Sequence, residues 1–259
     1  MLTYRNTVIA AIIVFILILV YSVVFSFSII TLIFFILFFS SILAYGSAFI
    51  GFNFYTKSFC KSKTKLKVVS ITFDDGPTDN TNSIIDILDK HNVKATFFVV
   101  GDQAESSPEI IEKACKNGHL IGNHSFSHSN YSGFYSTNKI VDEIEHTNAI
   151  LKNITGKDCK IFRPPFGVTN PNIARAIKRT GMQSVGWSVR SLDTTIKDSQ
   201  IVLKRVLRQV HPGAVILLHD TTPNILFILD KLIENLKESG YKIERLDVLM
   251  ALNLNRREK

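Results

Sequence analysis

The chain has 259 residues, a formal net charge of +8 and 46% hydrophobic residues, a length that suits one large domain or a smaller domain with an appendage. Its three cysteines are odd in number and contain no CxxC pair, which argues against a disulfide framework and a thiolate metal site. The basic residues are scattered along helical segments without interleaved aromatic residues, so a nucleic-acid partner is not indicated. No feature of the sequence identifies a protein partner.

The first element in chain order is an uncharged block of 51 residues between Arg5 and Lys57, rich in Ile, Leu, Val and Phe. One helix of that length would measure about 76 Å at ~1.5 Å per residue, whereas a bilayer core requires only about 20 residues. A cleaved signal peptide has a much shorter apolar region of about 7–15 residues. The block therefore predicts two membrane-spanning helices within residues 1–56, at about 7–26 and 29–51. The turn between them is predicted at Ser22, Ser26 and Ser28.

Positive charge flanks this block on both sides, at Arg5 and in a predicted basic linker over 57–66. Because positive charge marks the cytoplasmic side of a membrane, a hairpin would place the remaining chain in the cytoplasm, at the inner membrane of a bacterium. A single span with a re-entrant remainder would place it outside. The lysines of the linker also favour contact with anionic membrane lipids. The sequence thus predicts an integral membrane protein and leaves open the side on which the remaining chain lies.

From residue 67 to 259, apolar strand-like runs alternate with amphipathic helical segments. Repeated β-α units with short connections indicate an α/β fold with a parallel sheet covered by helices. About seven such units favour a barrel over an open sheet, although periodicity alone does not separate them. The strands are predicted at 68–73, 95–100, 119–123, 160–162, 182–189, 214–219 and 241–246. The helices are predicted at about 80–91, 108–116, 137–153, 172–179, 198–210 and 223–238.

Seven reactive side chains follow predicted strands directly. In a parallel β/α fold the loops at the carboxyl ends of the strands share one face, so these side chains are expected to converge there. They are Asp74, Asp75, His124, His128, Arg163, Asp193 and His219. Four other histidines do not occupy such positions, and we interpret them as surface or structural residues: His91, His119, His146 and His211.

The segment HSFSH, His124 to His128, has two histidines four residues apart. On a helical turn such residues share a face and could bind one ion, although many such pairs are merely solvated. A carboxylate from Asp74 or Asp75 would complete the three protein ligands that catalytic zinc commonly takes. The adjacent like charges of the two aspartates then have a physical explanation, because a cation on one lets its neighbour stay ionised as a base.

Three further stretches carry candidate residues, each with an ordinary structural alternative. In RPPFG, Arg163 could orient a carboxylate through its planar donor fork, or could be a surface residue on a rigid turn. In GWSVRSLDT, Trp187 is either a core residue or a wall of the site. In ILLHD, His219 ends an apolar strand and suits an acid near neutral pH, or caps the loop.

Together the motifs TFDDGP, HSFSH, RPPFG, WSVRSLD and ILLH resemble those of the polysaccharide deacetylases, carbohydrate esterase family 4, in the same order over residues 67 to about 222. The resemblance implies a distorted (β/α) barrel of about seven strands and a divalent metal, most often Zn²⁺. It also implies hydrolysis of an N-acetyl group, or sometimes an O-acetyl group, of an amino sugar.

The resemblance also assigns roles to residues of this chain. Asp75, His124 and His128 match the metal ligands. Asp74 matches a general base held by Arg163, and His219 matches a general acid tuned by Asp193. The residues expected to contact substrate are Pro165, Phe166 through its backbone N–H, Trp187, and Leu217 in the acetyl pocket.

Two departures concern the sugar-binding groove. The family often has Asp where this chain has Arg190, and Trp where it has Thr194. A third departure, Phe166 in place of a common Tyr, leaves a backbone role intact. The departures spare the catalytic positions but leave the substrate open.

Three functions therefore remain as hypotheses. The first is a membrane-anchored deacetylase of an N-acetylated glycan or a lipid-linked amino sugar. The second is a glycan-binding membrane protein that has lost catalysis. The sequence argues against it, because no catalytic position is substituted. The third is a deformylase of a lipid-linked sugar with the same machinery. Most relatives act on exported polymers, whereas the charge flanks favour a cytoplasmic domain and hence a lipid-linked precursor.

Overall fold

The computed structural model describes residues 2–25 and 28–254. The helices are α1 (Tyr4–Val24), α2 (Ile29–Ala48), α3 (Asp79–Lys90), α4 (Gly101–Ser106), α5 (Pro108–Lys116), α6 (Thr137–Thr155), α7 (Pro171–Thr180), α8 (Ser199–Gln209), α9 (Ile225–Glu238) and α10 (Leu246–Leu254). The strands are β1 (Ser58–Phe59), β2 (Val68–Gly76), β3 (Thr96–Val99), β4 (Leu120–Asn123), β5 (Ile161–Phe162), β6 (Gln183–Val185), β7 (Val189–Arg190), β8 (Val215–His219) and β9 (Lys242–Ile243).

The uncharged N-terminal block forms two helices, α1 and α2, each long and apolar enough to cross a membrane. Most of their apolar side chains are exposed and do not pack into a protein core. Rings of Phe15 and Phe35 lie 5.8 Å apart between the two helices. Of the serines predicted to form the turn, Ser22 lies inside α1, Ser28 precedes α2, and Ser26 lies outside the described residues.

The predicted parallel β/α barrel is confirmed. Its strands are paired in the spatial order β1-β6-β5-β4-β3-β2-β8-β7, with β9 beside the start of β2, and each of these strand pairs is parallel. All of β2 except Asp75 is buried. The flanking helices bury aliphatic side chains against the sheet, which places the core between the two layers.

The segment predicted as one strand over 182–189 is divided into β6 and β7. Gly186 N–H donates to the Phe59 carbonyl at 3.0 Å, whereas Ser188 N–H donates to the Val215 carbonyl at 3.0 Å. The backbone therefore changes partners around Trp187, because it passes from one end of the sheet to the other. This crossing links the two ends of the open strand path and places Trp187 in the cleft at the carboxyl ends of the strands.

Other differences lie at the ends of the domain. The segment predicted as a basic linker contributes β1 to the sheet beside β6. The last predicted strand, 241–246, is reduced to β9 and is followed by α10, which sequence periodicity did not indicate. Leu246 and Leu249 of α10 are buried against the lower part of the sheet, so this helix seals the end of the barrel opposite the strand carboxyl ends.

The end of the apolar hairpin packs on the face that carries the strand carboxyl ends. Thr169 N–H, in the loop after β5, donates to the Ser47 carbonyl at 3.1 Å. Ile50 is buried and packs directly on Gly186. A Cβ added to Gly186 would lie only 2.7 Å from Ile50 Cγ2. Tyr4 N–H donates to the Phe54 carbonyl at 3.0 Å, so the start of α1 reaches the same place. The apolar hairpin and the loops that bear the reactive residues therefore adjoin.

Candidate active site

The two aspartates at the end of β2 differ in their surroundings. Asp74 is buried, and its Oδ1 accepts a hydrogen bond from Arg163 Nη1 at 2.5 Å. Asp75 has a φ of 73°, a left-handed conformation that is rare for a residue other than glycine. The Asp75 carboxylate is partly exposed and lines the cleft. Backbone strain of this kind is concentrated at functional sites.

Among the described residues, Arg163 is the largest fully buried side chain, and it follows β5 directly. Besides Asp74, its guanidinium donates to Thr72 Oγ1 at 2.9 Å and to the Gly186 carbonyl at 3.0 Å. It lies 4.0 Å from the ring centroid of Phe98. The Arg163 guanidinium thus has several hydrogen-bond acceptors and fixes Asp74 Oδ1. The other oxygen, Asp74 Oδ2, lies 3.6 Å from His124 Nε2. The surface alternative for Arg163 is wrong.

Three ligand atoms converge beside this pair. Asp75 Oδ1 lies 3.3 Å from His128 Nε2 and 3.5 Å from His124 Nε2. Tetrahedral zinc with bonds of ~2.0–2.1 Å to nitrogen or oxygen places its ligands about 3.3 Å apart. His124 Nδ1 is 2.7 Å from the Arg163 carbonyl, which directs Nε2 towards the cluster. The spacing of these residues fits a divalent metal of this size.

Electrostatics agree with an ionised ligand at Asp75. Burial acts to raise the pKa of Asp75, but the hydrogen bond from His124 and the charges of the nearby histidines outweigh it and lower the pKa to about 2. The carboxylate is therefore charged at neutral pH and available to a cation.

The HSFSH segment forms a loop and not the helical turn that its spacing suggested. His128 has a φ of 44°, and Glu143 of α6 accepts hydrogen bonds from the backbone N–H groups of Phe126 at 3.0 Å and Ser127 at 2.8 Å. The imidazoles meet because Glu143 holds this loop folded back. Sequence reasoning missed Glu143, since it lies mid-helix and distant in the chain.

His219 lines the cleft at the end of β8, in register with Asp74 on the neighbouring strand β2. Its Nδ1 is 2.8 Å from Asp193 Oδ1, and its backbone N–H donates to Asp193 Oδ2 at 2.8 Å. Ser191 Oγ donates to the same carboxylate at 2.7 Å. Burial acts to lower the pKa of His219, but the hydrogen bond and the charge of Asp193 outweigh it and raise the pKa. The result is an imidazole that stays protonated to higher pH than usual.

The cleft has a volume of about 240 Å³. Phe166 lies at its rim, 49% exposed, with its ring centroid 4.8 Å from that of His128. Trp187 packs so closely on Gly167 that a Cβ there would overlap the indole ring. Leu217 forms part of the wall. Pro165 is buried in the turn that presents Phe166, and it does not line the cleft.

Asp220, directly after His219, supports the site from behind, and sequence reasoning missed it. It is fully buried, and its Oδ2 accepts a hydrogen bond from Thr81 Oγ1 at 2.6 Å. Its backbone carbonyl accepts from Asn80 Nδ2 at 2.8 Å and from Thr78 Oγ1 at 3.1 Å. Burial raises the pKa of Asp220 to about 7. Asp220 therefore ties the loop after β2 to the end of β8, and its position directly after His219 in ILLHD was the available signal.

The four histidines set apart by sequence lie outside the cleft. His119 is buried, and its Nδ1 accepts from the Ala95 N–H at 3.1 Å, so it is structural. A second acidic cluster at His91, Asp230 and Glu234 could geometrically hold an ion, but lysines already pair with both of its carboxylates.

Comparison with known proteins gives consistent matches. The polysaccharide deacetylase family model matches residues 61–185. The peptidoglycan-N-acetylmuramic acid deacetylase PdaA of Bacillus subtilis is 36% identical over 198 residues, which cover 74% of this chain and 75% of that protein. Its solved structure, a family 4 carbohydrate esterase, matches with a TM-score of 0.68, 36% identity and coverage of 74% and 84%.

Two other relatives differ in substrate and in activity. The peptidoglycan-N-acetylglucosamine deacetylase PgdA of Listeria monocytogenes is 35% identical over 195 residues, 75% of this chain but only 41% of that protein. A carbohydrate esterase family 4 pseudoenzyme from Bacillus anthracis matches with a TM-score of 0.69 at 29% identity, covering 74% of this chain and 68% of that one. Proteins that share this fold thus include deacetylases named for two different sugars and one pseudoenzyme.

A parallel β/α barrel whose strand ends gather two aspartates, two histidines and a buried arginine defines a class of metal-dependent hydrolases. The chain belongs to the polysaccharide deacetylase family, carbohydrate esterase family 4. The predicted enzyme class, hydrolases acting on carbon–nitrogen bonds other than peptide bonds, is that of the family.

Proposed function

We propose that this protein is a membrane-anchored, metal-dependent hydrolase that removes N-acetyl groups from an amino-sugar glycan or a lipid-linked sugar. One observation carries the proposal: the Asp75, His124 and His128 cluster lies in the same cleft as the Asp74–Arg163 pair and the His219–Asp193 pair. Two acid–base groups beside a cation site are the arrangement that amide hydrolysis requires.

Asp75, His124 and His128 hold the metal in this proposal, with zinc as the expected ion. When bound, the ion supplies Lewis-acid polarisation and lowers the pKa of water. Asp74, oriented by Arg163, accepts the proton from the attacking water. As the carbon–oxygen bond forms and the carbon–nitrogen bond breaks, His219 donates a proton to the departing amine. The products are acetate and the free amino sugar.

The remaining groups of the cleft orient the substrate. The Phe166 backbone N–H would donate to the oxygen of the acetyl group as negative charge develops on it. Trp187 and Leu217 form the walls that would contact the face of the sugar and the methyl of the acetyl group. Asp193 favours the protonated form of the His219 imidazole and holds it in one orientation, because it accepts from both the ring and the backbone.

The proposed setting is the membrane. Support comes from two adjacent apolar helices of sufficient length, which we propose as spans within residues 1–56, ahead of a catalytic domain at 67–259. Both outer ends of the hairpin lie together beside the barrel, as two crossings require. A reporter fused after Lys259 distinguishes a cytoplasmic from an exported domain.

The test of activity is acetate release by the full chain in nanodiscs with added zinc, on N-acetylglucosamine oligomers, N-acetylmuramic-acid glycans and lipid-linked N-acetylglucosamine. Asp75→Ala should lose bound metal, whereas Asp74→Asn should keep metal and lose about 10²–10⁴-fold in turnover. Metal content is measured on both variants by elemental analysis. Absence of acetate release above Asp74→Asn on every substrate would favour an inactive glycan-binding protein, and release of formate alone would identify a deformylase.

A further inference from the structure

A groove lies between the end of the apolar hairpin and the barrel. Its apolar side is the segment 48–52 that follows α2, and its other side is formed by β7 and α8. The volume is about 540 Å³, within the range of about 300–1,000 Å³ that is typical of small-ligand sites. The groove is thus more than twice as large as the catalytic cleft of about 240 Å³.

The groove adjoins the catalytic cleft. Trp187 and Arg190 line both of them. The Arg190 guanidinium lies 5.6 Å from the Trp187 ring centroid, so these two side chains form the shared wall. A molecule whose acetylated end reached Asp74 would therefore extend past Arg190 into the groove.

Two cations without carboxylate partners line this groove. Arg190 is exposed, and Arg205 of α8 donates through Nε to the Arg190 carbonyl at 3.1 Å. Neither guanidinium forms an ion pair with a carboxylate in the described part of the chain. Two such guanidinium groups beside an apolar wall are complementary to a phosphate or diphosphate that carries a hydrocarbon chain. Arg190 is also the position at which the family often has an aspartate, so the charge at the rim is reversed.

The groove lies where the apolar helix ends. Phe49 and Phe52 are about half exposed, and their ring centroids lie 4.6 Å and 5.0 Å from that of Tyr45. Clusters of aromatic residues at the ends of membrane helices mark the level of the lipid head groups. A lipid with its phosphate at that level would meet the two arginines without leaving the bilayer.

We infer that this groove binds the phosphate or diphosphate of a lipid-linked amino sugar and thereby presents the sugar's N-acetyl group to the catalytic cleft. The inference rests on the proposed deacetylase function and names its substrate class. The lipid chain lies along segment 48–52, the phosphate contacts Arg190 and Arg205, and the first sugar stacks on Trp187.

Binding can be measured apart from catalysis, because Trp187 is the single tryptophan of the chain and lines both cavities. The full chain in phosphatidylcholine nanodiscs is titrated with polyprenyl diphosphate while tryptophan fluorescence is recorded. Uncharged polyprenol, phosphatidylglycerol and inorganic diphosphate serve as comparison ligands. The variants are Arg190→Gln, Arg205→Gln and Arg205→Lys, with Lys204→Gln on the exposed face of α8 as the matched control.

The expected result is a saturable response to polyprenyl diphosphate that is at least roughly tenfold weaker in each Arg→Gln variant. Arg205→Lys should recover part of the affinity, and Lys204→Gln should match the wild type. An equal response to phosphatidylglycerol, or Arg→Gln variants that bind like wild type, would overturn the inference. Acetate release from lipid-linked N-acetylglucosamine is then compared with release from soluble oligomers. Saturable binding without acetate release would contradict the proposed function while the groove assignment stands.

Discussion

Arg163 Nη1 lies 2.5 Å from Asp74 Oδ1, and both side chains are buried beneath the cleft. The arginine also donates to Thr72 and to the Gly186 carbonyl, so it joins β2 to the segment between β6 and β7. Removing one partner of a buried ion pair destabilises the folded protein by about 3–5 kcal/mol, because the other charge is left buried without compensation. The pair therefore supports both the fold and the orientation of the proposed base.

We expect Arg163→Lys to lower turnover at least roughly 10²-fold, because a lysine ammonium lacks the planar fork that fixes Asp74. Thermal unfolding and acetate release are measured on the same nanodisc preparation. Arg179→Lys is the matched control, since Arg179 is exposed and donates to Asn138 at 2.8 Å, away from the cleft. Turnover of Arg163→Lys close to that of wild type would show that Arg163 does not orient the base.

The pH dependence should report His219. Its pKa is raised by Asp193, and a general acid must be protonated, so we expect turnover to fall as pH rises through this elevated pKa. Asp193→Asn removes the charge that raises the pKa, so the alkaline limb of the turnover profile should move to lower pH. Asp158→Asn, at an exposed surface pair, should leave the profile unchanged. If the alkaline limb did not move in Asp193→Asn, it would report the titration of a group other than His219.

Gly167 is expected to be intolerant of a side chain. It has a φ of +65°, and a Cβ would overlap the Trp187 ring, so Gly167→Ala should displace the indole and lower kcat/KM roughly tenfold or more. Gly181 has a φ of +66° and open space within 4 Å of the position that a Cβ would take, so Gly181→Ala tests backbone strain alone, on the order of 1 kcal/mol. The two variants are compared by thermal unfolding and by Trp187 fluorescence. If Gly167→Ala and Gly181→Ala had equal effects, packing of the Trp187 indole on Gly167 would not explain the loss.

Asp220 should make stability depend on pH. Its folded-state pKa is raised to about 7, above the value of 3.8 for a free carboxyl, so the folded state holds the proton more tightly. The stabilisation is present at low pH and is lost as pH rises from about 4 through about 7. Asp220→Asn removes this titration and should flatten the dependence of the unfolding midpoint on pH in metal-free protein, an effect on the order of a few kcal/mol. A variant with the same pH slope as wild type would show that Asp220 is not the titrating group.

Much of the fold is accessible from the sequence because its signals are local. The uncharged block, the alternation of apolar and amphipathic segments and the strand-end positions of the seven reactive residues are all written in consecutive residues. Hydrophobic burial acts on those patterns directly, so two apolar helices and a parallel barrel follow. The convergence of Asp74, Asp75, His124 and His219 is predictable for the same reason, since parallel strands end on one face.

Contacts between distant segments were decided only by tertiary structure. Glu143 holds the HSFSH loop and Asp220 holds the loop after β2, each through hydrogen bonds between separate segments. The exchange of hydrogen-bond partners around Trp187 links the two ends of the sheet. The groove beside Arg190 and Arg205 exists because segment 48–52 packs near β7, which no local pattern encodes. Local periodicity determines which residues form each element, whereas the packing of distant segments against one another determines which of them meet.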